Sequence, residues 1–147
     1  MELNEFHEKV GEIMEFCQCI EENIRRIYAC MQDGGYEKNL LKMESERWTL
    51  GQTITELKKY DESWDEPLFS PEEYRVLFDL TRLRNYYAHK VFLTFYDLGS
   101  EEDFDYSYGR ASYDLEKDLE IIARLYEKSE DVRIDYLDKA GIRRKRF

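Results

Sequence analysis

The sequence predicts an all-α protein, an up-and-down four-helix bundle with helices near 4–31, 39–60, 71–95 and 111–140. Three observations point there. The first thirty or so residues carry apolar side chains in steps of three and four. Two prolines and seven glycines in 147 residues leave little room for a many-turned β architecture. Each later periodic stretch is separated from the next by an acidic or glycine-bearing segment.

The first helix rests on Leu3, Phe6, Val10, Ile13, Cys17, Ile20, Ile24, Ile27 and Met31, an unbroken a/d seam among charged positions. Asp33-Gly34-Gly35 ends it, because glycine accepts the left-handed backbone that closes a helix. The second helix takes Leu40, Met43, Leu50, Ile54 and Leu57 as its apolar face, with Trp48 packing nearby. Gly51 falls inside it, which predicts close approach of a neighbouring helix. Residues 61–69 read as a loop, with Trp64 as its anchor. Ser70-Pro71-Glu72-Glu73 is a strong helix start: Ser70 caps, Pro71 suits the first turn, and Glu73 completes a capping box. Residues 97–109 are acidic, aromatic and glycine-flanked, and read as a second loop. The fourth helix is carried by Leu115, Leu119, Ile122, Leu125 and Tyr126, and its apolar pattern weakens near Glu130-Asp131, where a break is expected. The chain reads as a single domain over 1–147, with a short basic tail at 143–147.

Composition narrows the function. No stretch of eighteen apolar residues is present, so no membrane span is expected. Met1 to Glu5 is acidic and lacks a signal-peptide core, which predicts a cytoplasmic protein. Cys17, Cys19 and Cys30 are odd in number and lie in one helical segment, so they read as packing residues, not as a disulfide framework. The net charge of −11 opposes general nucleic-acid affinity. Any RNA site must be a local basic pocket, and the acidic surface also suits a basic protein partner.

The stretch Arg84-Asn85-Tyr86-Tyr87-Ala88-His89 stands out. It holds one of only two histidines, beside a permanent cation and a carboxamide. Tyr74, Leu77, Thr81, Arg84, Ala88, Val91 and Phe95 repeat in steps of three and four, which puts Arg84 on an apolar seam. Asn85 and His89 are one turn apart on one face. Arg84 and His89 are about 140° apart around the axis, a gap that the arginine side chain can close. Histidine can take a proton from a ribose 2′-hydroxyl or return one to a leaving 5′-oxygen. Arginine can hold a phosphate and stabilise its developing charge. One histidine is a poor set for both proton transfers, whereas two copies of the site would supply two. Arg82, Tyr86 and Lys90 flank the stretch as candidate substrate-binding residues. Tyr86 and Tyr87 read as core or dimer contacts, one of them able to stack on a base. His7, beside the first seam, reads as structural.

These residues resemble the R-x(4–6)-H motif of the HEPN superfamily, including the polar residue that often follows the arginine. The motif covers six residues, and the four-helix layout extends the resemblance along the chain. Thr49-Leu50-Gly51-Gln52 also looks like helix-packing segments of such proteins. The resemblance implies a metal-independent endoribonuclease without cofactors. It implies a homodimer whose two motifs form one composite cleft, and a role in toxin–antitoxin or other defence systems with RNA as substrate. An antitoxin or regulatory protein would be a further partner. Carried over by position, Arg84, Asn85 and His89 are the catalytic set. In one branch, a tyrosine two residues after the histidine is modified by a partner enzyme. Val91 stands there instead, so that regulation does not carry over.

Two other readings remain. In the bland one, Arg84 pairs with a neighbouring acid and His89 bonds locally. In the other, the chain is a noncatalytic helical dimer that binds a protein partner or a nucleotide.

Overall fold

The structure is a computed structural model that describes residues 1–96, 99–141 and 147. All its regular elements are helical: α1 (Leu3–Met31), α2 (Tyr36–Ser45), α3 (Leu50–Glu62), α4 (Pro71–His89), α5 (Leu93–Tyr96) and α6 (Glu101–Lys139). The expected all-α class holds. No helix among the described residues is long and apolar enough to cross a membrane. The chain divides into two compact units, one of Met1–Gln18 with Leu80–Arg124, the other of Cys19–Asp79 with Leu125–Phe147. The candidate site lies within the first.

The a/d seam of α1 is buried from Phe6 through Val10, Ile13, Cys17, Ile20, Ile24 and Ile27. Only its ends, Leu3 and Met31, reach solvent. Gly34 and Gly35 take φ of +108° and +96° and end the run, as the sequence predicts.

In the first unit, Phe6 packs edge-on against Phe92 and Phe95, with ring centroids 5.7 and 5.4 Å apart. Phe95 extends the cluster to Phe104 and Tyr108. This apolar block fixes α5 and the start of α6 against α1. It also explains an error of expectation. Residues 101–109, read as loop, are helical. Ser100 Oγ accepts the Asp103 N–H at 3.1 Å, and Glu101, Glu102 and Asp103 favour the positive end of the helix. The acidity that suggested a loop is that of a helix N-terminus. Asp97 and Leu98 lie outside the described residues.

In the second unit, the predicted second helix is two. Arg47 turns the chain with φ +53°, and the Trp48 N–H returns to the Met43 carbonyl at 3.0 Å. Thr49 then opens α3 with a capping box, its hydroxyl accepting from the Gln52 N–H at 3.1 Å while Gln52 answers the Thr49 N–H. Gly51 therefore sits in the first turn of α3. It is exposed, and a Cβ placed there meets nothing within 4 Å, so no neighbour approaches it. Trp48 does pack, its ring 5.4 Å from that of Tyr28. Trp64 is 43% exposed and anchors little. The loop is held instead by Asp61, which is fully buried. Its carboxylate accepts from the N–H groups of Leu68 and Phe69 and from the Tyr74 hydroxyl, at 2.6, 3.0 and 2.6 Å.

The capping box at the start of α4 forms as predicted, with the Glu73 N–H donating to Ser70 Oγ at 3.1 Å and the Ser70 N–H to Glu73 Oε1 at 2.8 Å. α6 runs unbroken past Glu130 and Asp131. The apolar pattern weakens there because the inward positions are polar. Ser129 and Glu130 are fully buried, Arg133 nearly so, and Asn23 of α1 donates to both Ser129 and Glu130. Of the basic tail, Arg143 to Arg146 fall outside the described residues. Phe147 lies under the Arg133 guanidinium, 4.0 Å from ring centroid to Cζ.

Candidate functional site

The site is the second half of α4, from Leu80 to His89. Leu80, Leu83 and Tyr87 face the core of the first unit. Thr81 and Ala88, placed with Arg84 on the apolar seam by the sequence pattern, are exposed. The inward arc is thus displaced by a fraction of a turn. Two leucines and a tyrosine bury far more apolar area than a threonine and an alanine, and area decides which arc turns inward. Arg84 is left at the margin of the stripe, half-buried.

Asn85 and His89 lie one turn apart on the exposed side, and His89 is the last residue of α4. Lys90 follows it, exposed, with its N–H bonded to the Tyr86 carbonyl at 2.9 Å. His7 is exposed too, its ring 5.0 Å from that of Phe92, an aromatic contact consistent with a packing role. The end of α4 therefore presents an imidazole and a carboxamide to solvent, with a guanidinium at its edge. That set can exchange a proton and hold an anion.

The two tyrosines of the motif separate. Tyr87 is buried, and its hydroxyl donates to Asp118 Oδ2 at 2.6 Å. Burial pushes the phenol up, and the bond to Asp118 adds to the shift. Tyr87 is thus a core residue that ties α4 to α6. Tyr86 is half-buried, with its ring 5.0 Å from that of Tyr87. Burial raises its pKa, against a lowering hydrogen bond with Thr94.

Tyr86 and Arg82 open onto a groove between α4 and α6, completed by Leu83, Asp114, Lys117 and Asp118. Of these, Asp114, Lys117 and Asp118 escaped the sequence reading, which took from this segment only its apolar stripe. Asp114 and Asp118 are four apart, hence on one helix face, and that spacing was the available signal. None of the three cysteines is in a disulfide among the described residues, with Cys17 buried and Cys19 and Cys30 half-buried. Burial pushes the Cys30 thiol up to about 11.

No family model, curated protein or solved structure matches this chain. Its class is that of an all-helical protein whose α4 ends with Asn85 and His89 facing solvent and Arg84 at their margin.

Proposed function

We propose that the chain is a HEPN-type endoribonuclease, a four-helix bundle that cuts RNA without a metal and acts as a homodimer. The observation that carries this reading is the joint placement of Asn85 and His89 on the exposed side of α4, with Arg84 at its margin. A buried histidine could not reach a ribose; this one can. His89 moves the proton of the 2′-hydroxyl or of the leaving 5′-oxygen, Arg84 holds the phosphate, and Asn85 orients the imidazole or the sugar. A second copy supplies the other imidazole. A cytoplasmic toxin or defence component, held in check by an antitoxin-like protein, is the setting this chemistry suits.

Cleavage of a mixed RNA with and without chelator tests the reading, using wild type, His89→Ala and Arg84→Ala. The wild type cuts in both conditions, and each variant loses roughly 100-fold or more. Equal cutting by all three removes the assignment. Light scattering that finds only monomer at working concentration removes the composite cleft.

A second reading is favoured by two exposed apolar residues just beyond the motif: Leu93 is 66% and Tyr96 50% exposed. With a net charge of −11, they suit a noncatalytic module that binds a basic protein. Tight capture of a protein by a chain that neither binds nor cuts RNA would establish it.

A further inference from the structure

The groove beside the motif has the wrong charge balance for a simple phosphate cleft. Arg82 and Lys117 bring two cations, but Asp114 and Asp118 bring two carboxylates. A groove that served only the RNA backbone would be basic throughout. Carboxylates belong in an RNA site where they face N–H donors, and on a nucleotide those donors are on the base edge.

The geometry points to a base-recognition subsite, selective for guanine, next to the Arg84–His89 stretch; this rests on the ribonuclease reading above. Tyr86 lines the groove with a half-buried ring held in a T-shaped contact with that of Tyr87, an aromatic platform for a base. Asp118 is already engaged by the Tyr87 hydroxyl at 2.6 Å. Asp114 is the available acceptor. Its side chain is 47% exposed, and its nearest cation, Arg110 Nε, stands 3.9 Å away, beyond hydrogen-bond distance. Guanine is the base that presents two adjacent N–H donors, N1–H and the N2 amino group, to a single carboxylate. Adenine and cytosine present one amino group beside an acceptor nitrogen, which a carboxylate repels. Uracil offers one imide N–H between two carbonyls. Charge-assisted bidentate bonding therefore separates guanine from the other three.

Arg82 and Lys117 then take the flanking phosphates. Arg82 and His89 are seven residues apart, nearly in line along α4 and about 10 Å along its axis. That is a span of one to two nucleotides, so the recognised guanine lies within two nucleotides of the bond presented to His89. The subsite also reconciles an acidic chain with an RNA substrate, because one of its acids reads the base.

Binding of 2′-O-methyl pentanucleotides, uridine throughout except for a central G, A, C or U, tests this. These oligonucleotides cannot be cut through 2′-hydroxyl attack, so their affinity reports on the subsite alone. By fluorescence anisotropy, the G oligonucleotide binds on the order of tenfold tighter than the others. Asp114→Asn, checked by circular dichroism, brings the four within about twofold of one another. Lys117→Gln weakens all four together and keeps the ranking. Equal affinities in the wild type, no binding of any oligonucleotide, or a G preference that survives Asp114→Asn overturns the subsite. Cleavage of unmodified RNA is read separately. Cutting without base preference leaves the nuclease and removes the subsite, and G-selective binding without cutting does the reverse.

Discussion

The Tyr87 hydroxyl donates to the Asp118 carboxylate at 2.6 Å, joining the motif helix to α6 from the buried side. The residues on either side of Tyr87 point elsewhere: Tyr86 to the groove and Ala88 to solvent. The bond therefore ties α4 to α6 within the turns that carry Arg84, Asn85 and His89. Tyr87→Phe keeps the ring in the core and removes only the hydroxyl. We expect a loss of about 1–2 kcal/mol in urea unfolding. Cleavage should fall further than the unfolded fraction accounts for. A stability loss with unchanged cleavage per folded molecule would separate Tyr87 from the site.

Asp61 closes the 62–70 segment with one carboxylate and three donors: the N–H groups of Leu68 and Phe69 and the hydroxyl of Tyr74. Asp61→Ala leaves these donors without their acceptor in a fully buried place. A loss of about 3 kcal/mol or more follows, a large share of a small protein's stability. Asp61→Asn keeps one acceptor oxygen and should recover part of it. Chemical denaturation of the two variants checks the order, and equal stability of Asp61→Ala and wild type would refute it.

How far these features were legible differs from helix to helix. α1 was, because nine apolar positions in strict alternation admit one inward face. The split between α2 and α3 was hidden because Leu40, Met43, Leu50, Ile54 and Leu57 keep an approximate helical period across it. The counter-signal was Thr49 and Gln52 at capping-box spacing, which only the backbone around Arg47 makes decisive. The start of α6 was masked by its own acids. At the site, which residues lie at the end of a helix was readable, but its rotation was not. Thr81-Arg84-Ala88 and Leu80-Leu83-Tyr87 share the same spacing, and packing chooses the larger set. Asp61, Glu130 and Arg133 were invisible as core residues because nothing in a charged side chain announces that its partners are buried with it.

Glu73 makes stability depend on acid. Burial pushes its carboxyl up, but hydrogen bonds from Lys128 and from the Ser70 N–H, with the Lys128 charge, hold it below the usual glutamate range. A carboxyl depressed in the folded state contributes stability that is present above its unfolded value and is lost as pH falls through the folded one. Stability should therefore decline as pH drops from about 5 toward 3. Lys128→Met weakens the depression and should flatten this part of the curve. Thermal melts of both proteins at stepped pH check it. Parallel acid limbs would show that the decline comes from other carboxylates.

Cys30 sets the opposite limb. Burial raises its thiol to about 11, so the folded state disfavours the thiolate. That preference is complete below the ordinary thiol range and is lost as pH rises from about 9 through 11. Alkylation by iodoacetamide at pH 8 should modify Cys30 at least about tenfold more slowly in the folded chain than in urea. Equal rates would mean that the thiol is open to solvent.

Glu130 and Arg133 form an ion pair with almost no exposure, Arg133 Nη2 donating to Glu130 Oε2 at 3.1 Å. Asn23 donates to the other carboxylate oxygen at 3.0 Å, and the Phe147 ring covers the guanidinium. Burying two charges costs desolvation, and their attraction offsets it only while both are present. Arg133→Met alone strands a buried carboxylate and should lose about 3–5 kcal/mol. Glu130→Leu with Arg133→Met removes both charges at similar volume and should recover most of that loss, less about 1–3 kcal/mol for the Asn23 amide that loses an acceptor. A double-mutant cycle in urea measures the coupling directly. If the double variant is as unstable as the sum of its parts, the two charges act independently, and the continuity of α6 past Asp131 owes nothing to their pairing.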